Sequence, residues 1–369
     1  MNASPRTLPV SRRFAVTLLA LVAAVTLLAP AATLASRADR ESAALVPVLD
    51  QVERKVALGI STPYGYQVKK LRRIGTRIGR MPALWTIWSR WGDKATRAFP
   101  AEVAGKVAKL GVTPLIWWEP ANPGKSGNPF YPRYANTTAG THDRYIRRYA
   151  RAARKFGKTV LLRYAPEPNG SYHPWTEGKF DNTAETFIAA WRHIWEIFRQ
   201  EGAANVKFVW SVSKETCQGG CNPYAEFYPG DEYVDYMAFS SFNWGAQKDG
   251  WVSMVQGFTR VHNLLASISF RPIIAIESAS NGEGGDKPAW IREGYPLSYA
   301  SFPAIVAIVY LNADLRYAKH PDWRIGSPPE AMTAYAEIAA TAEYSGRIKK
   351  RSGGTIQDAL NATPTASRQ

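Results

Sequence analysis

The chain has 369 residues, 46% hydrophobic and 12% aromatic, a net charge of +16 and two cysteines. That is enough apolar material for one full-sized core; a β/α barrel takes about 250 residues. The basic balance admits nucleic acid, an anionic cell-surface polymer or an acidic substrate as partner. Nucleic acid is set aside because no nucleic-acid motif is present and the basic residues are scattered over helical stretches, such as Lys69, Lys70, Arg72 and Arg73, which reads as a solvated face.

In chain order, Arg6, Arg12 and Arg13 precede an apolar stretch over residues 14–28. Small residues follow, Ala29-Pro30-Ala31 and then Ala35-Ser36. Residues 1–36 read as a secretory signal peptide, with an uncleaved membrane anchor as the alternative for a stretch short for a spanning helix. Without it the chain keeps a charge of +13, since three arginines and no acids are lost. A helical lead-in over 37–54 follows. Apolar, β-branched and aromatic runs then predict buried strands near 56–60, 84–88, 112–117, 159–164, 206–211, 234–239, 272–276 and 304–311. They are continuous rather than alternating, as parallel strands covered on both faces should be. Amphipathic stretches predict helices at 66–80, 100–110, 141–156, 183–201, 250–268, 287–300 and 328–342. The helix at 141–156 starts at Thr141 and Asp143 and stops at Gly157. The helix at 183–201 follows Asp181-Asn182-Thr183 and stops before Gly202.

This alternation predicts an α/β fold, a single (β/α)8 TIM barrel over residues 37–344. An open doubly wound sheet would need a glycine-rich phosphate turn after the first strand, which Gly59-Ile60-Ser61-Thr62-Pro63 does not supply. Residues 345–369, rich in Lys, Arg, Gly, Ser and Thr, read as a disordered tail. Cys217 and Cys221 are candidates for a small loop disulfide in an exported protein. Nearby histidine or further cysteine is missing, so no metal and no cofactor is expected.

Barrel enzymes carry function at the C-terminal ends of their strands. Strand 3 ends in Trp117-Trp118-Glu119-Pro120. Strand 4 supplies Arg163 and Glu167, then Asn169, Tyr172, His173 and Trp175. Strand 5 supplies Trp210 and Ser211, strand 6 Phe242-Asn243-Trp244, strand 7 Glu277, and strand 8 Tyr310 and Asn312. Aromatic faces suit pyranose rings and the polar groups suit hydroxyls. Glu119 reads as a loop salt-bridge partner or cap rather than a catalytic group, and Glu283 and Asp286 as solvated turn residues. Glu167 and Glu277 differ: each follows a buried run, where an unpaired carboxylate costs several kcal/mol. Two carboxylates from different strands are the minimum for hydrolysing a glycosidic bond.

Several stretches between about Leu58 and Tyr335 resemble glycoside hydrolase family 26, the β-mannanase family of the retaining barrel clan. They include Ile116-Trp117-Trp118-Glu119-Pro120, Leu162-Arg163-Tyr164-Ala165-Pro166-Glu167-Pro168-Asn169-Gly170, Phe208-Val209-Trp210-Ser211, Phe242-Asn243-Trp244-Gly245 and Asp322-Trp323-Arg324-Ile325. The resemblance implies Glu167 as acid/base and Glu277 as nucleophile. Three positions depart from the family pattern: Pro166 stands for histidine before the acid/base, Phe242 for a tyrosine that bonds the nucleophile, and Tyr310 for the tryptophan that floors the cleavage subsite.

The expectation is a secreted, monomeric, retaining β-glycosidase acting on a polysaccharide, with β-1,4-mannan first and mixed-linkage β-glucan close behind. A polysaccharide-binding barrel without turnover and an enzyme for the cell's own exopolysaccharide are the competing readings. Glu167 is expected to have a raised pKa and Arg163 to position Glu277. Trp118, Trp210, Trp244 and Tyr310 should line the cleft, with Asn169 and Asn243 contacting hydroxyls.

Overall fold

Eight parallel strands close into a barrel in sequence order: β1 (Ala57–Ser61), β2 (Leu84–Arg90), β3 (Thr113–Glu119), β4 (Val160–Tyr164), β5 (Val206–Ser213), β6 (Tyr236–Asn243), β7 (Ile273–Ser280) and β8 (Ile305–Leu311). The computed structural model describes residues 54–63, 65–121, 133–171, 173–214, 224–248 and 250–348. The expected leader, nearly all of the lead-in, Tyr172, Cys217, Cys221 and residues 349–369 lie outside the described residues.

The connecting helices are α1 (Val68–Arg77), α2 (Ala101–Ala108), α3 (Tyr134–Thr138), α4 (Asp143–Phe156), α5 (Ala184–Gln200), α6 (Met254–Ile268), α7 (Lys287–Ser301) and α8 (Pro329–Ala340). Their ends follow local chemistry. Thr183 and Thr186 form a reciprocal capping box at the start of α5. Gly157, at φ 71°, takes the left-handed turn that ends α4. Asp286 caps α7 by accepting from the Ala289 N–H. The short α3 carries too little pattern to have been read from the sequence. None of the described helices is long and apolar enough to cross a membrane.

Strand side chains alternate between two cores. Ala57, Leu84, Leu115, Leu161, Val209, Ala238, Ile274 and Val309 fill the barrel interior. Ile60, Ile116, Leu162, Phe208, Met237, Phe239 and Ile308 face the helices. Near the site the alternation breaks in β7. Its pairing with β6 skips from Ala275 opposite Phe239 to Glu277 opposite Ser240. Its pairing with β8 skips likewise, from Ala275 opposite Ile308 to Ser278 opposite Tyr310. Ile276 is the extra residue of a β-bulge, and the residue after it keeps an inward direction that strict alternation would deny it. Glu277 thus sits within β7, which runs on to Ser280, rather than past its end as the apolar pattern suggested.

The last described residues remain packed on the barrel. The Val56 N–H donates to the Glu343 carbonyl at 2.7 Å, and the Gly346 N–H to the Val56 carbonyl at 3.0 Å. Ile348 packs against the interior cluster.

Candidate active site

The inward side chains at the C-terminal end of the barrel converge on Arg163. It stands in β4, fully buried, in register with Trp117 of β3, which in turn pairs with Trp88 of β2. The two indoles stack with centroids 5.4 Å apart, and the guanidinium lies 4.1 Å over the Trp117 ring. This flat stack fixes the plane of the cation. Arg163 Nε donates to Ser211 Oγ at 2.7 Å, and Nη2 donates to Glu167 Oε1 at 3.0 Å and to Ser240 Oγ at 3.3 Å. Nη1 stands 3.5 Å from Glu277 Oε2. One guanidinium therefore touches both carboxylates, the closer contact being to Glu167, whereas the sequence reading gave it to Glu277 alone.

Glu167 is held by its backbone as much as by its partners. It lies at φ 55° and Ala165 at φ 41°, a left-handed region that non-glycine residues seldom occupy. The loop is pinned from three sides. The Ala165 N–H donates to the Trp118 carbonyl, the Glu167 N–H to the Ser211 carbonyl, and Trp175 Nε1 to the Pro166 carbonyl at 2.8 Å. Ser240 also donates to Glu167 Oε1. Glu277, on β7, accepts from Ser61 Oγ of β1 at 3.2 Å. That bond supplies a hydroxyl to the carboxylate despite the phenylalanine at 242.

The two glutamates are 2% and 7% exposed. Burial, with the nearby Glu167 charge adding to it, outweighs Arg163 and pushes the Glu277 carboxyl up to about 8. One cation against two buried carboxylates leaves a surplus negative charge, which favours a proton shared by the pair. His173, beside them, is pushed down to about 3 by burial, with Arg163 and Lys179 adding, and is neutral.

These groups floor a cavity of about 520 Å³. Its walls carry Trp88, Trp117, His173, Phe242, Trp244 and Trp323, and its lining also includes Lys214, Lys248, Lys319 and His320. Of the expected site residues, Arg163, Glu167, His173, Phe242, Trp244 and Glu277 are brought together here. Trp175 lies beneath, stacked on His173 at 4.5 Å.

Five others are not in the cavity, and each has a structural task. Trp118 points outward, donating to Tyr145 Oη at 2.9 Å and stacking on Tyr149 of α4. Trp210 points outward against Tyr228. Tyr310 points outward against Tyr335 of α8. Asn169 exchanges two hydrogen bonds with the Ser213 backbone. Asn243 donates to Ser280 Oγ and accepts from the Gly245 and Val252 N–H groups. Tyr310 is thus outside the cavity, whose lining includes Trp323, in the loop after β8. Glu119 is the ion-pair partner it was read to be, 2.7 Å from Arg90 Nε. Trp88, Trp117, Ser61 and Ser240 were missed as site residues. Strand alternation counted from Arg163 would have chosen Trp117 over Trp118.

The glycosyl hydrolase family 26 model matches residues 143–271. Endoglucanase H of Acetivibrio thermocellus is 42% identical over 203 residues, covering 54% of this chain and 22% of that protein. Beta-1,3-xylanase TXYA of a Vibrio species is 28% identical over 131 residues, covering 35% and 26%. The chain thus spans about a quarter of the length of these curated relatives. The GH26 beta-mannanase of Bacteroides ovatus superposes with a TM-score of 0.59 at 16% identity, over 82% of this chain and 94% of that one, a likeness of fold.

Proposed function

We propose that this chain, a relative of glycoside hydrolase family 26, is a secreted retaining β-glycosidase that cleaves a β-linked polysaccharide. The observation that carries the reading is the single buried guanidinium in contact with two carboxylates at the floor of an aromatic cavity. In the double displacement, Glu277 attacks the anomeric carbon and Glu167 protonates the leaving oxygen, then activates water. That order requires the proton of the pair on Glu167 and the charge on Glu277. Arg163, touching both, stabilises Glu277 as the carboxylate before attack and Glu167 as the carboxylate once its proton has passed to the leaving oxygen.

A β-glucan backbone ranks first, ahead of the mannan that the family resemblance implies. Its support is the 42% identity to a protein named an endoglucanase, against 16% to a mannanase. Export through residues 1–36, a catalytic domain from residue 37 through the packed Ile348 and a tail beyond it, in a monomer, complete the reading.

The test is reducing-end release from mixed-linkage glucan, mannan, glucomannan, β-1,3-xylan and one acidic exopolysaccharide, beside Glu167→Ala and Glu277→Ala. Release from one polymer, lost in both variants, is expected. The raised Glu277 carboxyl and the Pro166 and Phe242 departures favour a second reading, a barrel that binds without cutting. Tight binding with no release from any polymer would replace the hydrolase reading with it. Replacing Trp323 by Ala removes the ring that packs at 5.2 Å on Phe242 and 5.3 Å on Trp244. It should raise KM roughly two- to tenfold with a smaller change in kcat, measured from initial rates. An unchanged KM would exclude Trp323 as a sugar platform.

A further inference from the structure

The charge of the cavity rim is opposite to that of its floor. Among the described residues, three lysines and two histidines line the cavity, and the lining carboxylates are the two glutamates that share Arg163. The three lysines come from three separate loops, those after β5, β6 and β8, so their meeting is a product of the fold rather than of a basic run.

Each lysine is held at the rim. Lys248 Nζ sits 4.1 Å over the Trp244 ring, which places an ammonium beside the cavity wall. Lys319 stands on a tight turn, with its own N–H bonded to the Arg316 carbonyl and the His320 N–H to that of Leu315. Lys214 Nζ lies 3.4 Å from the Phe242 carbonyl. The acids of the neighbouring loop are engaged elsewhere: Asp314 pairs with Arg316 at 2.8 Å and Asp322 with Arg324 at 2.5 Å. His320, 5.1 Å from Trp244, has its pKa lowered by burial and then by Lys248, so the local potential is positive. A neutral glucan or mannan has no group that answers such a rim. A neutral sugar needs aromatic faces and hydroxyl partners, and Lys248 and Lys319 would meet it only at the expense of their hydration.

We propose that the cavity takes an anionic polysaccharide, a β-linked backbone whose sugars bear carboxylates, with one carboxylate held between Lys248 and Lys319 beside Trp244. This rests on the glycosidase reading for the fate of the substrate, but not for its binding. A converging rim of cations raises the local concentration of a polyanion and selects it over its neutral counterpart, most strongly at low ionic strength.

The test compares two hexasaccharides with one backbone, cellohexaose and its fully C6-oxidised counterpart, the β-1,4-glucuronan hexasaccharide. Binding is measured by calorimetry on the full chain carrying Glu277→Gln, so that turnover does not intervene. The oxidised sugar should bind roughly tenfold tighter at low salt, the advantage that two or three exposed ion pairs supply. The ratio should fall towards one at about 0.5 M salt and in Lys248→Met/Lys319→Met. Equal affinities, a preference for cellohexaose, no binding of either, or a preference that survives both salt and the double variant would each overturn the proposal. Wild-type protein is assayed for reducing-end release on the same pair. Cleavage of the neutral sugar without acidic preference removes this proposal and leaves the hydrolase. Acidic preference without cleavage of either removes the hydrolase and leaves this proposal.

Discussion

Replacing Glu277 by Gln should abolish turnover and, above neutral pH, stabilise the fold. The first effect follows from its place in the proposed mechanism, where loss of the nucleophile costs about 10³-fold or more. The second follows from its surroundings. Burial raises the carboxyl from 4.5 to about 8, so between those values the folded chain holds a proton that the unfolded chain has released. Stability contributed by that proton is complete below pH 4.5 and is lost as pH rises through about 8. An amide has no such loss. Thermal melts from pH 5 to 8.5 should show the wild-type midpoint falling further than that of the variant, with a gap on the order of a few kcal/mol at the alkaline end. Parallel melting curves would mean that Glu277 carries its charge without penalty.

Arg163→Met should be costly for the opposite reason. Methionine fits the stem of the side chain but leaves Glu167 and Glu277 buried without their cation. Truncating one partner of a buried ion pair costs about 3–5 kcal/mol. Urea midpoints at pH 7 measure the loss, and the deficit should shrink at pH 4, where the carboxylates take up protons. A loss of packing alone would be independent of pH, so a constant deficit would deny Arg163 its electrostatic role. Arg163 is a positioning residue, and the residual activity should also show its acidic limb displaced to higher pH.

The barrel was legible because each of its eight strands is an unbroken apolar run between amphipathic stretches, and buried parallel strands need no finer pattern. That same uniformity hid which way each side chain points. Trp118, Trp210 and Tyr310 were chosen for the cleft because they are large and stand at strand ends. Their inward neighbours are Trp117, Ser211 and Leu311, which alternation from one known inward residue would have selected. Arg163 could have served as that anchor, since a fully buried guanidinium belongs with carboxylates. The two glutamates were legible as charge at the end of or within apolar runs. The lysines at the rim were not, because they come from three loops far apart in the chain, and loops carry no periodicity from which to place them. The bulge at Ile276 leaves no mark at all in an apolar run.

That bulge makes the active centre depend on how β7 pairs as well as on which residue it carries. Straightening that bulge with Ile276 kept would carry β7 on in strict alternation, leaving every strand present and the ring of eight closed. The carboxylate of Glu277 would turn through the wall into the greasy layer beneath the helices. The same chain could then keep its architecture and lose its chemistry, with every side chain named in the site still encoded.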